Sequence, residues 1–169
     1  MLHLAAIDLN RQKIDTLFIP VCENKPIHSA APVAALVDRA LAFDEFKGKK
    51  DQELILHHPP GCTAARVVFR GIGDAKTLDA ETLRRMAGKS VRRCIQLGRT
   101  RMWLAAPDPA ATGIEEAEQL KALLEGAFLG NHLFDRYKEK KEKKPLTRVD
   151  LLPAPAAAAR LRRLPAEVE

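Results

Sequence analysis

Residues 67–89, VVFRGIGDAKTLDAETLRRMAGK, carry the pattern with the clearest chemical content: an apolar run, a Gly-x-Gly turn, a polar step and then a helix. A loop of this kind can cradle a phosphate when its backbone N–H groups and the following helix N-terminus converge on the anion. The dinucleotide fingerprint also needs a third glycine for close helix–strand packing. Here Gly71 and Gly73 are present, but Lys76 stands in the third place. The phosphate loop G-x-x-x-x-G-K-[ST] is not supplied either. The helix is expected to start at about Asp79, a good N-cap, several residues after the turn. Its N–H groups would not point at an anion lodged there. The two glycines are therefore read as the means by which the chain leaves a buried strand with φ > 0, and anion binding is the alternative.

The remaining residues of chemical interest are scattered. His57 and His58 are adjacent on an expected strand and so point to opposite faces, while His3, His28 and His132 have no partner nearby in sequence. Cys22, Cys62 and Cys94 are odd in number and far apart, which suits reduced, mostly buried thiols of a cytoplasmic protein. No C-x-x-C or His/Cys pair has zinc spacing, and no serine sits in a nucleophile elbow. Two basic features stand out. Arg85, Lys89, Arg92 and Arg93 fall at i, i+4, i+7, i+8 and make one cationic helix face. The segment RYKEKKEKKPLTR, residues 136–148, includes Lys140 and Lys141 and, with Asp135, supplies net +4 of the chain's +6. Either would attract a phosphate backbone in a salt-dependent way. Only Tyr137 offers a stacking ring in the second segment, so solvated charge is the competing explanation for both. Gly126 and Gly130 form a G-x-x-x-G pair, which in a soluble helix permits close packing.

The elements that would position these residues alternate between strand and helix. Strands are expected around Leu2–Ala6, at TLFIPV (16–21), ELILHH (53–58), ARVVFRGIG (65–73), RMWLAA (101–106) and TRVDLLP (147–153). Val33, Leu36, Val37, Ala40 and Leu41 form the stripe of one amphipathic helix. Leu83, Met86, Ala87, Val91, Cys94 and Ile95 share a face of a second, and Leu120, Leu123, Leu124, Ala127 and Phe128 a face of a third over 113–131. Such alternation implies an α/β/α sandwich with a mixed, largely parallel sheet. The 169 residues, 46% apolar and 30% charged, suit one soluble domain with a buried core. No apolar run approaches the ~18–20 residues that span a bilayer, and no signal peptide is evident at the N-terminus, so no membrane partner is expected.

Taken together, the order of motifs resembles the N-terminal domain of the leucyl (cytosol) aminopeptidase family. The resemblance is carried by IPVCENKP (19–26), FKGKKDQ (46–52), ARVVFRGIGDAKTLDAETLRRMAGK (65–89) and, most specifically, EGAFLGNHLFDRYKEKKEKKPL (125–146). It spans roughly residues 1–153. The Ala-rich stretch 154–169 would then be an inter-domain linker or the start of a connecting helix. The resemblance implies a macro-domain-like fold and a hydrolase parent, a metalloprotease whose separate C-terminal domain holds two divalent ions, Mn or Zn. It implies a homohexamer that this domain helps to hold. The N-T-D-A-E-G-R stretch of the catalytic domain is absent from this chain, so no catalytic residue, metal ligand or cofactor is expected here. Some bacterial members of the family bind DNA, which would give the basic helix face a use. Macro-domain ancestry adds binding of ADP-ribose or a related nucleotide as a weaker alternative.

Overall fold

The computed structural model describes residues 2–4, 9–136, 144–156 and 158, with the side chains of residues 2–4 and 133–136 left out. Six strands form one sheet: β1 (Leu2–Leu4), β2 (Ile14–Cys22), β3 (Glu53–His57), β4 (Ala64–Gly73), β5 (Arg101–Ala105) and β6 (Arg148–Leu152). Their spatial order is β1-β6-β5-β2-β4-β3. Every pairing is parallel except β3 with β4, which places an antiparallel strand at one edge. The helices are α1 (Ala31–Leu41), α2 (Ala80–Gln96), a four-residue α3 (Pro109–Thr112) and α4 (Glu116–Arg136).

Strand alternation sends side chains to two cores. Leu17, Ile19, Val67, Phe69, Trp103 and Ala105 face α1, which buries Val33, Leu36, Val37 and Ala40 against them. Phe18, Val68, Met102, Leu104, Val149 and Leu151 face the other way, against α2 and α4. The result is the expected α/β/α sandwich. Each fully buried Leu, Ile or Phe stabilises it by about 1.5–3 kcal/mol. Pro20, which has no N–H to give, lies near the end of β2, beyond the rungs β2 shares with β5 at Leu17 and Phe18. Pro32 sits in the first turn of α1, where a missing donor costs least.

The α2–α4 contact depends on missing side chains. A Cβ at Gly126 would lie 2.1 Å from the Arg84 carbonyl oxygen, and one at Gly130 would lie 2.6 Å from that of Gly88. The G-x-x-x-G pair thus brings two helix backbones together. Asn131 then fastens α4 to the segment before β6: its Nδ2 donates to Leu146 O at 3.1 Å and its Oδ1 accepts from Leu146 N at 2.9 Å.

Three sequence expectations shift. The third helix begins at Glu116, and a separate short turn of helix, α3, precedes it. Phe128, assigned to the apolar stripe, is 65% exposed, because the close Gly126–Gly130 contact turns the neighbouring positions outward. β3 ends at His57, and His58 has φ of 48°, so the second histidine lies in a turn and both are exposed.

Candidate functional site

The Gly-x-Gly turn lies at the end of β4, and the structure separates the roles of its two glycines. Gly71 admits a neighbouring segment: a Cβ there would lie 2.0 Å from the Lys49 carbonyl oxygen. The segment 48–52 is laid along the strand end by bonds from Asp51 N to Gly71 O (3.1 Å), Gly71 N to Gln52 O (2.8 Å) and Gly73 N to Gly48 O (3.0 Å). Gly73 supplies the left-handed conformation, with φ of 86°.

The donors beside the turn are already engaged. The Asp74 carboxylate accepts from Lys76 N at 2.8 Å and from Asn24 Nδ2 at 2.9 Å, while Asn24 Oδ1 accepts from Ala75 N at 3.1 Å. Those bonds, the Lys76 N–H foremost, hold the Asp74 carboxyl below the usual range. At the start of α2, Asp79 Oδ1 accepts from both the hydroxyl and the backbone N–H of Thr82, at 2.6 and 2.8 Å. The Thr82 hydroxyl is the main cause of the lowered Asp79 pKa. An anion would have to displace two carboxylates from these positions.

Between α2 and the segment 48–52 lies a cleft of about 190 Å³, lined by Lys50, Asp51, Arg70, Arg85, Met86 and Lys89. The cationic face read from sequence borders it, and most of that face is paired. Lys89 Nζ bonds to Asp51, and this contact is the chief reason the Asp51 carboxyl lies below its ordinary value. Arg85 Nε meets Glu81 at 2.8 Å. Arg93 Nε donates to Glu53 at 3.0 Å, and Arg70 Nη1 reaches the same carboxylate at 2.8 Å. Arg92 is exposed, with no ion pair among the described residues. Lys140 and Lys141 lie outside the described residues. Glu81 is a local partner, but the other two acids that neutralise this face, Asp51 and Glu53, come from some forty residues earlier in the chain, and no local signal announces them.

Elsewhere, titratable groups serve packing. Asp150 is fully buried on β6 and held by Arg101 Nε at 3.0 Å and Arg148 Nη2 at 2.8 Å, with the Arg101 guanidinium 4.4 Å from the Trp103 ring centre. A sequence signal for this pair did exist: Arg148 and Asp150 are two apart on one strand and share a face. His28 is half-buried and donates from Nε2 to Pro20 O at 2.7 Å; burial lowers its pKa, with the carbonyl opposing. Cys22 and Cys94 are buried, and desolvation pushes their thiols up to about 11 and about 12. Among the described residues no three of His, Cys, Asp and Glu converge as metal ligands would, so these side chains do not fit a divalent ion.

Open α/β sheets receive ligands in the crevice beyond their strand ends. Here residues 23–28 cross that edge: Glu23 N bonds to Gly73 O at 2.9 Å and Asp108 N to Ile27 O at 2.8 Å. A broader open groove of about 760 Å³ between α3 and the start of α4 is lined by Ala110, Ile114, Leu120, Glu115 and Glu116, and offers no basic or nucleophilic group.

Residues 20–141 match the model of the cytosol aminopeptidase family, N-terminal domain. The probable cytosol aminopeptidase of Stutzerimonas stutzeri is 31% identical over 147 residues, covering 83% of this chain and 30% of that protein. Its counterpart in Solibacter usitatus is 35% identical over 138 residues, covering 82% of this chain and 27% of that protein. Among solved structures, a mutant tomato leucine aminopeptidase superposes with a TM-score of 0.66 over 94% of this chain and 34% of its own, at 16% identity, a likeness of fold. A bottromycin maturation enzyme in complex with Mn gives a TM-score of 0.55 at 26% identity, covering 86% of this chain and 28% of its own. The chain thus spans under a third of the curated relatives it matches. No helix among the described residues is long and apolar enough to cross a membrane.

Proposed function

The chain belongs to the cytosol aminopeptidase family through its N-terminal domain, and from that premise we propose that it is the non-catalytic assembly domain of a larger metallo-aminopeptidase. The observation that carries this reading is the match itself: it falls on the N-terminal domain, and the relatives continue for more than twice the length of this chain. In this reading the parent cleaves N-terminal residues from peptides in the cytoplasm. The two divalent ions, Mn or Zn, belong to the C-terminal domain. There a two-metal site activates water and clamps the developing tetrahedral charge.

What this chain brings is a stiff body. Two cores clamp one sheet, the buried Asp150 held by Arg101 and Arg148 pins β5 to β6, and two helices touch at backbone distance. Such a body suits a part that sets geometry between subunits better than one that must open around a substrate. The ion-paired state of the α2 face accords with the same reading, since a surface dedicated to polyanions leaves its cations free to replace counterions.

The test is to express the longer reading frame with and without residues 1–153 and to measure assembly and metal content separately. The truncated protein is expected to keep its two metal ions per chain and lose its oligomer. An oligomer that survives the truncation unchanged would refute the assembly role.

A further inference from the structure

The cleft between α2 and the segment 48–52 gathers charge of one sign. Lys50, Arg70, Arg85 and Lys89 line it, and Asp51 is the one acid among its lining residues. These cations come from three parts of the chain: the segment 48–52, β4 and α2. The carboxylates around them do not balance them. Asp51 meets Lys89, Glu53 is divided between Arg70 and Arg93, and Glu81 between Arg84 and Arg85. Lys50 reaches no carboxylate at ion-pair distance among the described residues and acts on Asp51 from further away. Pairing also leaves donors unspent. An ammonium carries three and a guanidinium five, whereas Arg85 gives Nε to Glu81 and Arg70 gives Nη1 to Glu53. The Arg70 side chain is 12% exposed, so solvent screens its charge poorly.

A nucleic-acid backbone tracks along an open face, whereas these donors converge from three elements on a volume of about 190 Å³. At about 30 Å³ per water molecule, that is the space of roughly six waters, the scale of a phosphate group with a small substituent. Phosphate oxygens accept from several cations at once, and a guanidinium can meet two of them in parallel. We propose that this cleft is a binding site for a compact phosphate dianion, free or as a small monoester, held by Lys50, Arg70, Arg85 and Lys89, with Asp51 as the internal competitor for Lys89. The bound anion bridges the segment 48–52, β4 and α2.

Isothermal titration of the pure chain with inorganic phosphate tests the proposal, at about pH 8, where the dianion prevails, and at a fixed ionic strength of about 0.15 M. Surface ion pairs are individually weak, so the expected Kd is on the order of 1 mM. Chloride at equal ionic strength is expected to give no saturable heat. K50E/R85E reverses two exposed cations of the cleft and is expected to weaken binding by about tenfold or more. R92E/K121E makes the same change in net charge at exposed positions outside the cleft lining and is expected to bind as wild type does. D51N removes the competitor, and asparagine tolerates the φ of 66° at that position. It is expected to bind about threefold tighter or more. Glycerol phosphate that binds as tightly as inorganic phosphate assigns the site to monoesters, and its exclusion assigns the site to the free ion.

Melting midpoints without phosphate check that each variant folds. If K50E/R85E does not, Lys50→Gln, which breaks no ion pair among the described residues, must still weaken binding. No saturable binding up to about 30 mM phosphate overturns the proposal, as does unchanged affinity in K50E/R85E or in D51N. A short DNA duplex that displaces phosphate at lower concentration also overturns it, since the cations would then serve an open polyanion surface.

Discussion

Replacing Gly126 by alanine probes the contact on which the helical layer depends. The new methyl would lie 2.1 Å from the Arg84 carbonyl oxygen, 2.8 Å from its carbon and 3.0 Å from Ala87 Cβ. Ordinary carbon contacts lie at about 3.5–4.0 Å, so α2 and α4 must separate by roughly 1.4 Å or more. A gap of about 1 Å forfeits up to half of each dispersion contact along the seam, and that seam buries Leu83, Ala87, Leu123 and Ala127. Overpacking of a core costs about 1–3 kcal/mol. The upper end applies here because the obstructing atoms are backbone and cannot rotate away. Alanine's better helix propensity returns about 1 kcal/mol. The net loss is about 2 kcal/mol, a fall of about 4–8 °C in midpoint for a domain of this size. The assay is urea and thermal unfolding followed by circular dichroism, with an unchanged m-value required. The closest approaches also set a ranking. Gly126→Ala (2.1 Å) should be worse than Gly130→Ala (2.6 Å), and Gly88→Ala (3.1 Å) the mildest. A Gly126→Ala protein as stable as wild type, or more stable, would show that the backbones do not touch.

Three further outcomes follow from the same structure. Gly71→Ala should free the segment 48–52, since its Cβ would strike Lys49 O; faster amide exchange at Asp51 and Gln52 reports it, and unchanged exchange would refute the close approach as the reason for that glycine. Half-buried Cys62 should be alkylated first at pH 8, while buried Cys22 and Cys94, with thiols near 11 and 12, react only on unfolding; equal rates at all three sites would contradict their burial. Because burial depresses the His28 pKa in the fold, its contribution to stability is present above the unfolded value of about 6.5 and is lost as pH falls below it. The wild-type midpoint should therefore drop between pH 7.5 and 5.5 by more than that of a His28→Gln variant. The loss from Asp51, Asp79 and Glu81, whose carboxyls are also lowered, belongs to the acid range below about 4, and a pH response identical in both proteins would remove His28 from the explanation.

The fold was legible wherever one period dominated. The stripe Leu83–Ile95 and the Asp79 cap are local facts, and α2 follows them residue for residue. The purpose of Gly71 was not legible, because only the approach of a segment twenty residues away explains it. The same holds for the basic face. Helical spacing put Arg85, Lys89 and Arg93 together, but Asp51 and Glu53, which pair with two of them, reach the helix through a loop and an edge strand. Phe128 misled for a related reason: a helix packed through glycines presents a narrower, rotated stripe than one packed through leucines, and hydrophobicity alone does not say which face wins. Short α3 carries too few residues to show a period at all.

We propose that this chain sets the geometry of a larger aminopeptidase and leaves the hydrolysis to another domain. Incubating the pure chain with a leucine anilide in the presence of Mn²⁺ or Zn²⁺ tests it most directly. Release of the aniline is expected to match the rate with metal ion alone, and saturable turnover that appears only when metal ion and chain are combined would contradict it.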